Sequence, residues 1–234
     1  MARDDVFITR FGPTVPGNAE GVSNQARINR QAAVVVTDFW TQLNLDGRLF
    51  HVQFGTRDAD GAITSTTVPD DQLVEAVVDN NTGYIMIPAR AQLAVKGWTT
   101  ATLMGAYLEA DKSKKRYSSG GTAFVPENLN GLDGAAFSGN AYVGTDVTTL
   151  AKSAVPDSVE FAHLLSQEDA QATPDVAATQ SVIQTVWDAK NAAAFPILPG
   201  PSSFLFHFGA TTADLTGYGF MQFAQLTRAE ITAS

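Results

Sequence analysis

FWTQLNLDGRLFHVQFGTRDADGAITSTTV, residues 39–68, is the stretch that decides how the chain is expected to fold. It holds two Asp-Gly pairs, Asp46-Gly47 and Asp60-Gly61, and Asp-Gly is the usual two-residue connection of a β-hairpin. If the first pair is a turn, the flanking strands place mostly apolar side chains on one face and mostly polar ones on the other. That is the pattern of a half-buried antiparallel pair. The stretch therefore predicts a three-stranded β-meander.

The acidic run at Asp58 and Asp60 has a second interpretation as a calcium-binding loop. With Gly61 as the sixth position of a helix-loop-helix site, the first and twelfth positions are Thr56 and Thr67, although the twelfth requires a glutamate. The flanks are rich in β-branched residues and suit strands, not helices. We therefore interpret this run as a turn, and an irregular ion site at Asp58 and Asp60 stays open.

Further strands are expected at the intervals typical of an all-β sandwich. In the apolar strand near the C-terminal end, Phe204, Phe206 and Phe208 alternate and should lie on one face. The last strand is apolar on both faces, which predicts a core position, with an interface position as the alternative. Beyond the third strand of the meander at 63–68, the further strands are predicted at 83–88, 98–110, 116–125, 203–209 and 217–226.

The segment 126–200 is expected to leave the sandwich as an excursion. Residues 126–154 predict a long ordered loop with one strand near 141–147. Asp157-Ser158-Val159-Glu160 has the spacing of a capping box, and residues 161–171 are predicted to continue as a short helix. A second helix is expected to start at Thr173-Pro174-Asp175 and to run to Phe195. The basic run 111–116 predicts a solvated hairpin tip, with contact to an acidic neighbour as the alternative.

Composition limits the classes of function. The 234 residues include no cysteine, which excludes disulfides and cysteine-ligated zinc. The net charge of -9 argues against a general nucleic-acid binder. Most of this charge is C-terminal, since residues 119–234 hold 3 Lys/Arg and 11 Asp/Glu. No apolar run approaches the roughly 18 residues of a membrane-spanning helix.

No catalytic or metal-binding pattern is apparent. His51, His163 and His207 are too far apart in sequence for their spacing to suggest a metal site. There is no phosphate-binding loop and no nucleophile elbow. A carboxylate pair that converges only in space remains an open alternative. We therefore expect a protein without enzymatic activity, with no catalytic residue, cofactor or metal.

The first 30 residues resemble an arm more than a domain. They contain two Gly/Pro pairs and little core-forming periodicity, and they carry Arg3, Arg10, Arg27 and Arg30. Arms of this kind become ordered when a neighbour provides a surface, and a frayed terminus is the alternative. The expected organisation is an arm at 1–30 and a sandwich at 31–234. The four arginines are the candidate partner contacts.

Taken together, the arginine-dotted arm, the regularly spaced strands, the helical excursion and the aromatic closing strand resemble a viral capsid jelly roll. The cysteine-free, lysine-poor composition is similar to proteins of halophilic archaea and their viruses. The family that the chain resembles is the single jelly-roll major capsid proteins of tailless, membrane-containing haloarchaeal viruses. A local likeness, from Gly83 through Trp98, is to the immunoglobulin-like modules of phage tail and baseplate proteins.

The resemblance implies an all-β, jelly-roll-like antiparallel β-sandwich with a short helical excursion. It also implies a virion location and self-assembly, with copies of the chain and other capsid proteins, into an icosahedral shell. No specific nucleic acid is implied, and an internal viral membrane is a possible partner of the arm arginines. The alternative function is a receptor- or carbohydrate-binding β-sandwich of a viral spike or tail. That alternative predicts that Trp40, Trp98 or Trp187 is exposed in a shallow groove.

Overall fold

The computed structural model describes residues 27–28, 34–35, 38–55, 63–64, 73–96, 102–131, 134–168, 182–192, 194–210 and 216–229. It contains a short helix, α1, and strands that form antiparallel sheets, so the predicted all-β class is confirmed. In chain order the elements are β1 (Arg27–Ile28), β2 (Val34–Val35), α1 (Phe39–Leu45), β3 (Leu49–Phe54), β4 (Ile63–Thr64), β5 (Leu73–Asn80), β6 (Tyr84–Lys96), β7 (Thr102–Asp111), β8 (Tyr117–Ser119), β9 (Thr122–Phe124), β10 (Glu127–Asn128), β11 (Gly139–Thr149), β12 (Ser158–Glu168), β13 (Val182–Asp188), β14 (Leu198–Pro199), β15 (Ser202–Ala210) and β16 (Thr216–Thr227).

Two large sheets form the sandwich. Sheet 1 has the order β10-β3-β16-β6-β13, with β14 and β4 at its margins, and sheet 2 has the order β12-β7-β15-β5-β11-β8, with β9 beside β11. Leaving out the insertion β8 to β11 and the short marginal strands, eight long strands remain. Numbered along the chain, they follow the order 1-8-3-6 in sheet 1 and 2-7-4-5 in sheet 2. This is the strand order of a jelly roll, which joins two Greek keys.

The core lies between the inner faces of the two sheets. Alternate residues of β3 (Phe50, Val52 and Phe54) face alternate residues of β15, and all of them are buried. Phe204, Phe206 and Phe208 lie together in this core, as predicted from their alternation. β16 lies between β3 and β6, so its predicted core position is also confirmed. Each fully buried large apolar side chain contributes about 1.5–3 kcal/mol to folding.

The predicted hairpin at Asp46-Gly47 is wrong, because residues 39–45 form α1. Asp38 caps the start of this helix by accepting hydrogen bonds from the amides of Trp40 and Thr41 at 3.0 and 3.1 Å. Gly47 ends it with a φ of 66°, and the amides of Gly47 and Arg48 return to the carbonyls of Asn44 and Leu43. This is a Schellman cap, in which glycine is favoured because the backbone is left-handed.

The predicted helices at 161–171, with a capping box at 157–160, and at 173–195 are also wrong wherever the structure describes those residues. β12 pairs with β7 over its whole length, and β13 pairs with β6. The hydroxyl of Ser158, which lies within the expected capping box, donates to the buried carboxylate of Glu109. The Thr173-Pro174-Asp175 start lies outside the described residues.

Several other predicted strands are corrected in length or in pairing. β6 has 13 residues where six were expected, and β5 was not predicted at all. β8, expected to return alongside β7, pairs with β11 instead. The strand expected near 141–147 is confirmed as the centre of β11.

Some of the predicted turns and strands lie outside the described residues. The Asp60-Gly61 turn, with Asp58, lies outside the described residues, as do residues 98–101. β4 begins at the expected Ile63 and pairs with β16. The boundary expected at residue 30 falls between β1 and β2, and the division into arm and sandwich stays a prediction.

Candidate functional site

The four candidate partner contacts of the arm lie almost wholly outside the described residues. Arg27 is in β1, where its backbone pairs with Val35. Arg3, Arg10 and Arg30 are not described. Their proposed role in partner contact therefore stays a prediction.

The three histidines lie on the outer faces of the two sheets. On sheet 1, the ring of His51 lies 5.1 Å from the ring of Phe220, and burial lowers the pKa of His51 while Glu127 partly offsets this. On sheet 2, Tyr107 stacks between His207 at 4.1 Å and His163 at 5.6 Å. Within the described part of the chain, no three His, Cys, Asp or Glu side chains are grouped so that they could hold a metal ion.

A buried ion cluster lies beside His207 on the outer face of sheet 2, and we define it as Arg116, Glu109 and Asp111. All three side chains are at most 1% exposed. The guanidinium of Arg116 lies 2.6 Å from Glu109 Oε1 and 3.5 Å from Asp111 Oδ2, and its Nε donates to the carbonyl of Leu150 at 2.5 Å. The basic run is therefore not simply a solvated tip, since its last residue is a buried cation that contacts acidic neighbours.

Neighbouring groups stabilise the charged form of Glu109. Burial alone would raise its pKa, but His207, the Ser158 hydroxyl and the Arg116 guanidinium together lower it to about 2. Ser158 donates at 2.5 Å, and Nε2 of His207 lies 3.4 Å from Glu109 Oε2. Glu109 is thus a permanent anion under ordinary conditions.

Asp79 and Glu75 on β5 add two further buried carboxyls near this cluster. Asp79 accepts hydrogen bonds from the Ser203 hydroxyl at 2.5 Å and from the backbone amide of Arg116 at 3.1 Å. Glu75 Oε2 accepts from the amide of Phe208 at 2.6 Å. Burial raises the pKa of both carboxyls, that of Glu75 strongly. Because its carboxylates accept hydrogen bonds from Arg116, Ser158 and Ser203 within the network, it suits holding the loop 112–116 in place better than binding a ligand.

An open groove lies on the outer face of sheet 1, and we call it the α1 groove. Arg90 on β6 is directly opposite Gln222 on β16 and Asp188 on β13, so these three side chains form a row across the sheet. α1 lies beside this row. The groove encloses about 290 Å³, and its lining includes Trp40, Thr41, Asn44, Arg90, Asp188, Lys190 and Gln222.

Local contacts hold the wall of the α1 groove. Trp40 packs edge to face against Phe39 at 5.2 Å and Phe195 at 6.0 Å. Nζ of Lys190 lies 3.9 Å from Asp38, the residue that caps α1. Because its ring is fixed by these contacts, Trp40 is presented to the groove in one orientation.

The other two predicted tryptophan positions differ from Trp40. Trp187 packs against Phe161 at 5.0 Å and against the core. Trp98 lies outside the described residues. Of the three tryptophans named in the carbohydrate-binding alternative, the structure thus places Trp40 in a groove.

Exposed apolar side chains form a second kind of surface. Val125 and Val155 are loop residues that are 85% and 86% exposed. Leu165, on the edge strand β12, is 64% exposed. No helix among the described residues is long and apolar enough to span a membrane.

Sequence reasoning missed the ion cluster and the α1 groove. Glu109 and Arg116 flank a hairpin-like tip, but their partners Ser158 and His207 are far away in sequence. The one usable signal for the groove was Arg90, a charge within the apolar run 84–95.

Comparison with known proteins gives no family. No protein-family model and no curated protein matches the chain. Among solved structures, a chain of infectious bursal disease virus, Gt strain, aligns with 93% of this chain and 52% of its own length, at 12% identity and a TM-score of 0.15. A chain of the Gx strain aligns with 80% of this chain and 39% of its own length, at 13% identity and a TM-score of 0.13. This chain thus spans about half, or less, of the chains it aligns with, and likenesses this slight carry no argument about fold or function.

Proposed function

We propose that the protein is a structural subunit of a virus particle and assembles with copies of itself into a closed shell. The observation that carries this proposal is the jelly-roll order of the eight long strands. Jelly rolls occur in viral capsid proteins, lectins and cupins. Of these, the capsid role also accounts for the exposed apolar side chains at loops and edges.

The surface supports assembly through side chains more than through continued strand pairing. The edge strands β12 and β13 each carry a bulge, between Glu160 and Ala162 and between Thr185 and Trp187. Bulges of this kind discourage uncontrolled edge-to-edge pairing. Exposed apolar side chains such as Val125, Val155 and Leu165 are instead available for burial between copies.

The arm is assigned a role within the shell in this proposal. Arg3, Arg10, Arg27 and Arg30 contact neighbouring subunits, other capsid proteins or the anionic headgroups of an internal membrane. Membership of the haloarchaeal virus capsid family is part of the same proposal.

The proposal is tested by the size distribution of the purified protein at low and high salt. Sedimentation velocity and electron microscopy should show large, uniform, closed particles in at least one of these conditions. Aspartate at Val125, Val155 and Leu165 should shift the distribution toward monomer, because charge opposes burial of these positions. A control with aspartate at Ser118, Ser119 and Ala151, which are also exposed, should still assemble.

Two results would contradict parts of this proposal. A wild-type protein that keeps the circular dichroism of a β-protein, yet sediments as a monomer in both conditions, would rule out self-assembly of this chain. Equal assembly of both triple variants would show that the exposed apolar side chains do not form the interface.

A further inference from the structure

We propose that the α1 groove binds one unit of an acidic sugar, a monosaccharide ring that carries a carboxylate. This is a ligand site additional to the shell function, and it depends on the groove alone. The juxtaposition that carries it is a fixed indole, an arginine and two amide side chains around one small concave space.

The size of the groove fits a single sugar ring. Its volume of about 290 Å³ is at the lower end of the range for small-molecule sites, roughly 300–1,000 Å³. It is open toward solvent, so the ring of a longer glycan can enter while the rest of the chain stays outside.

The charge of the groove favours an anion. Its lining has two cations, Arg90 and Lys190, against one anion, Asp188. Because Asp38 lies 3.9 Å from Lys190 Nζ and offsets that charge, Arg90 is the cation that would attract an anion. Although Asp188 is directly opposite Arg90 in the sheet, the Arg90 guanidinium makes no ion pair with any described residue. Instead, Asp188 Oδ1 accepts the backbone amide of Lys190 at 3.0 Å. A planar guanidinium without an ion pair among the described residues can match a carboxylate with two parallel hydrogen bonds.

The neutral groups of the groove fit the rest of a sugar ring. Trp40 supplies an apolar surface of fixed orientation, on which the C–H face of a sugar can pack. Asn44, Gln222 and Thr41 supply donors and acceptors for hydroxyl groups.

The experiment measures binding of small glycosides to the full chain by saturation-transfer NMR and by tryptophan fluorescence. The probes are methyl glucuronide, methyl glucoside as its neutral counterpart, and acetate as a carboxylate without a ring. We expect methyl glucuronide to bind at millimolar or lower concentration. Methyl glucoside and acetate should each bind at least about tenfold more weakly, because each lacks one of the two recognised features.

Three variants assign the binding to this groove. Arg90→Gln should weaken methyl glucuronide at least about tenfold and leave methyl glucoside unchanged. Asp188→Asn should strengthen methyl glucuronide, because it removes the anion that repels the carboxylate. Arg228→Gln is the matched control, since it removes an exposed arginine that does not line the groove, and it should bind as the wild type does.

A disaccharide that carries the same acidic sugar at its non-reducing end distinguishes the source of the ligand. Tighter binding of the disaccharide indicates a glycan terminus, and equal binding indicates a free monosaccharide; both agree with the proposal. It is overturned if methyl glucuronide shows no binding at about 10 mM. It is also overturned if neutral and acidic glycosides bind equally, if acetate binds as well as the glucuronide, or if Arg90→Gln and Arg228→Gln behave alike. None of these results bears on shell assembly.

Discussion

Arg116 is a costly residue for a protein to bury. Removing a guanidinium from water costs several kcal/mol, and this is repaid only if its partners are close and well placed. Here the partners are Glu109, Asp111 and the carbonyl of Leu150, so the loop that carries Arg116 is joined to β7 of sheet 2 and to the end of β11. One side chain therefore fixes three parts of the chain.

Replacing Arg116 with methionine should lower the free energy of unfolding by about 3–5 kcal/mol, because it leaves the buried carboxylate of Glu109 without its cation. The loss should depend on pH. The folded-state pKa of Glu109 is about 2, below its ordinary value of 4.5, so its stabilising contribution is present above about pH 4.5 and is lost as pH falls toward 2. Urea unfolding at several pH values should therefore show the largest difference between wild type and variant above about pH 5.

Lys112→Met is the control for this prediction, because it removes a positive charge from the same loop at a position that is not fully buried. It should change the free energy of unfolding by less than about 1 kcal/mol. A variant Arg116→Met as stable as the wild type would mean that the ion cluster contributes nothing net to the fold.

The role of Arg116 was beyond prediction from the sequence. In the run DKSKKR, nothing distinguishes the final arginine from three lysines that stay at least partly exposed. The distinction arises only when β7, β12 and β15 are adjacent, since that brings Glu109, Ser158 and His207 together. A buried charge depends on contacts between distant segments, and one sequence does not reveal those.

At the scale of elements, one dipeptide had two physically sound interpretations. Asp46-Gly47 supplies the left-handed residue that a hairpin turn needs, but a helix C-cap needs the same residue. Asp38 caps the N-terminal end of this segment, and this cap favours the helix. The helix buries Leu43, with Trp40 packed beside it, on Ile85, Ile87 and Ala224 of sheet 1. A seven-residue segment has too little periodicity to separate these outcomes.

The strand β12 was predicted as a helix for a different reason. A capping-box pattern at 157–160 precedes the predicted helix. In the structure, however, Ala162 and Leu164 pack against the core, while His163 and Leu165 are exposed on the opposite face. This is the two-residue period of a strand, and pairing with β7 selects it. Local propensity is a weak prior when a neighbouring strand offers a full ladder of hydrogen bonds.

Gly219 in β16 should not tolerate a side chain. A Cβ at this position would collide with the carbonyl oxygen of Gln92 and lie 2.7 Å from the ring of Phe54. Gly219→Ala should therefore lower the free energy of unfolding by about 1–3 kcal/mol, the usual cost of overpacking. Thermal or urea unfolding measures it.

Gly105→Ala is the matched comparison, because this glycine is also in a strand and its nearest neighbour would be the Leu164 carbonyl at 3.8 Å. Its free energy of unfolding should be unchanged or higher by up to about 1 kcal/mol. Equal losses in the two variants would indicate that backbone entropy or strand propensity, not packing around β16, sets the effect.

At the scale of the whole molecule, the alternation of apolar residues was sufficient to predict a sandwich. The three alternating phenylalanines of β15 and the two-sided apolar character of β16 both predicted buried strands, and both are central in their sheets. The pairing of these late strands with β3, β5, β6 and β7 was not predictable from spacing. Strand order is set by contacts between segments that are far apart in sequence.

The arginines of the arm allow a test of the proposed contact with an internal membrane. Glutamate at Arg3, Arg10, Arg27 and Arg30 should reduce co-sedimentation with anionic liposomes, because each basic residue near such a surface contributes about 1 kcal/mol. Four lysines at the same positions form the control and should keep the binding. Unchanged binding of the glutamate variant would remove the membrane from the list of partners.

The central places of β15 and β16 constrain how the protein is made. Each of these strands separates two strands that occur much earlier in the chain, so sheet 2 is incomplete until translation has passed residue 210, and sheet 1 until it has passed residue 227. A nascent chain on the ribosome therefore has β3, β5, β6 and β7 without the strands that join them. We expect the sandwich to form only after synthesis of its last strand, so exposed edges of the growing chain would depend on chaperones until then.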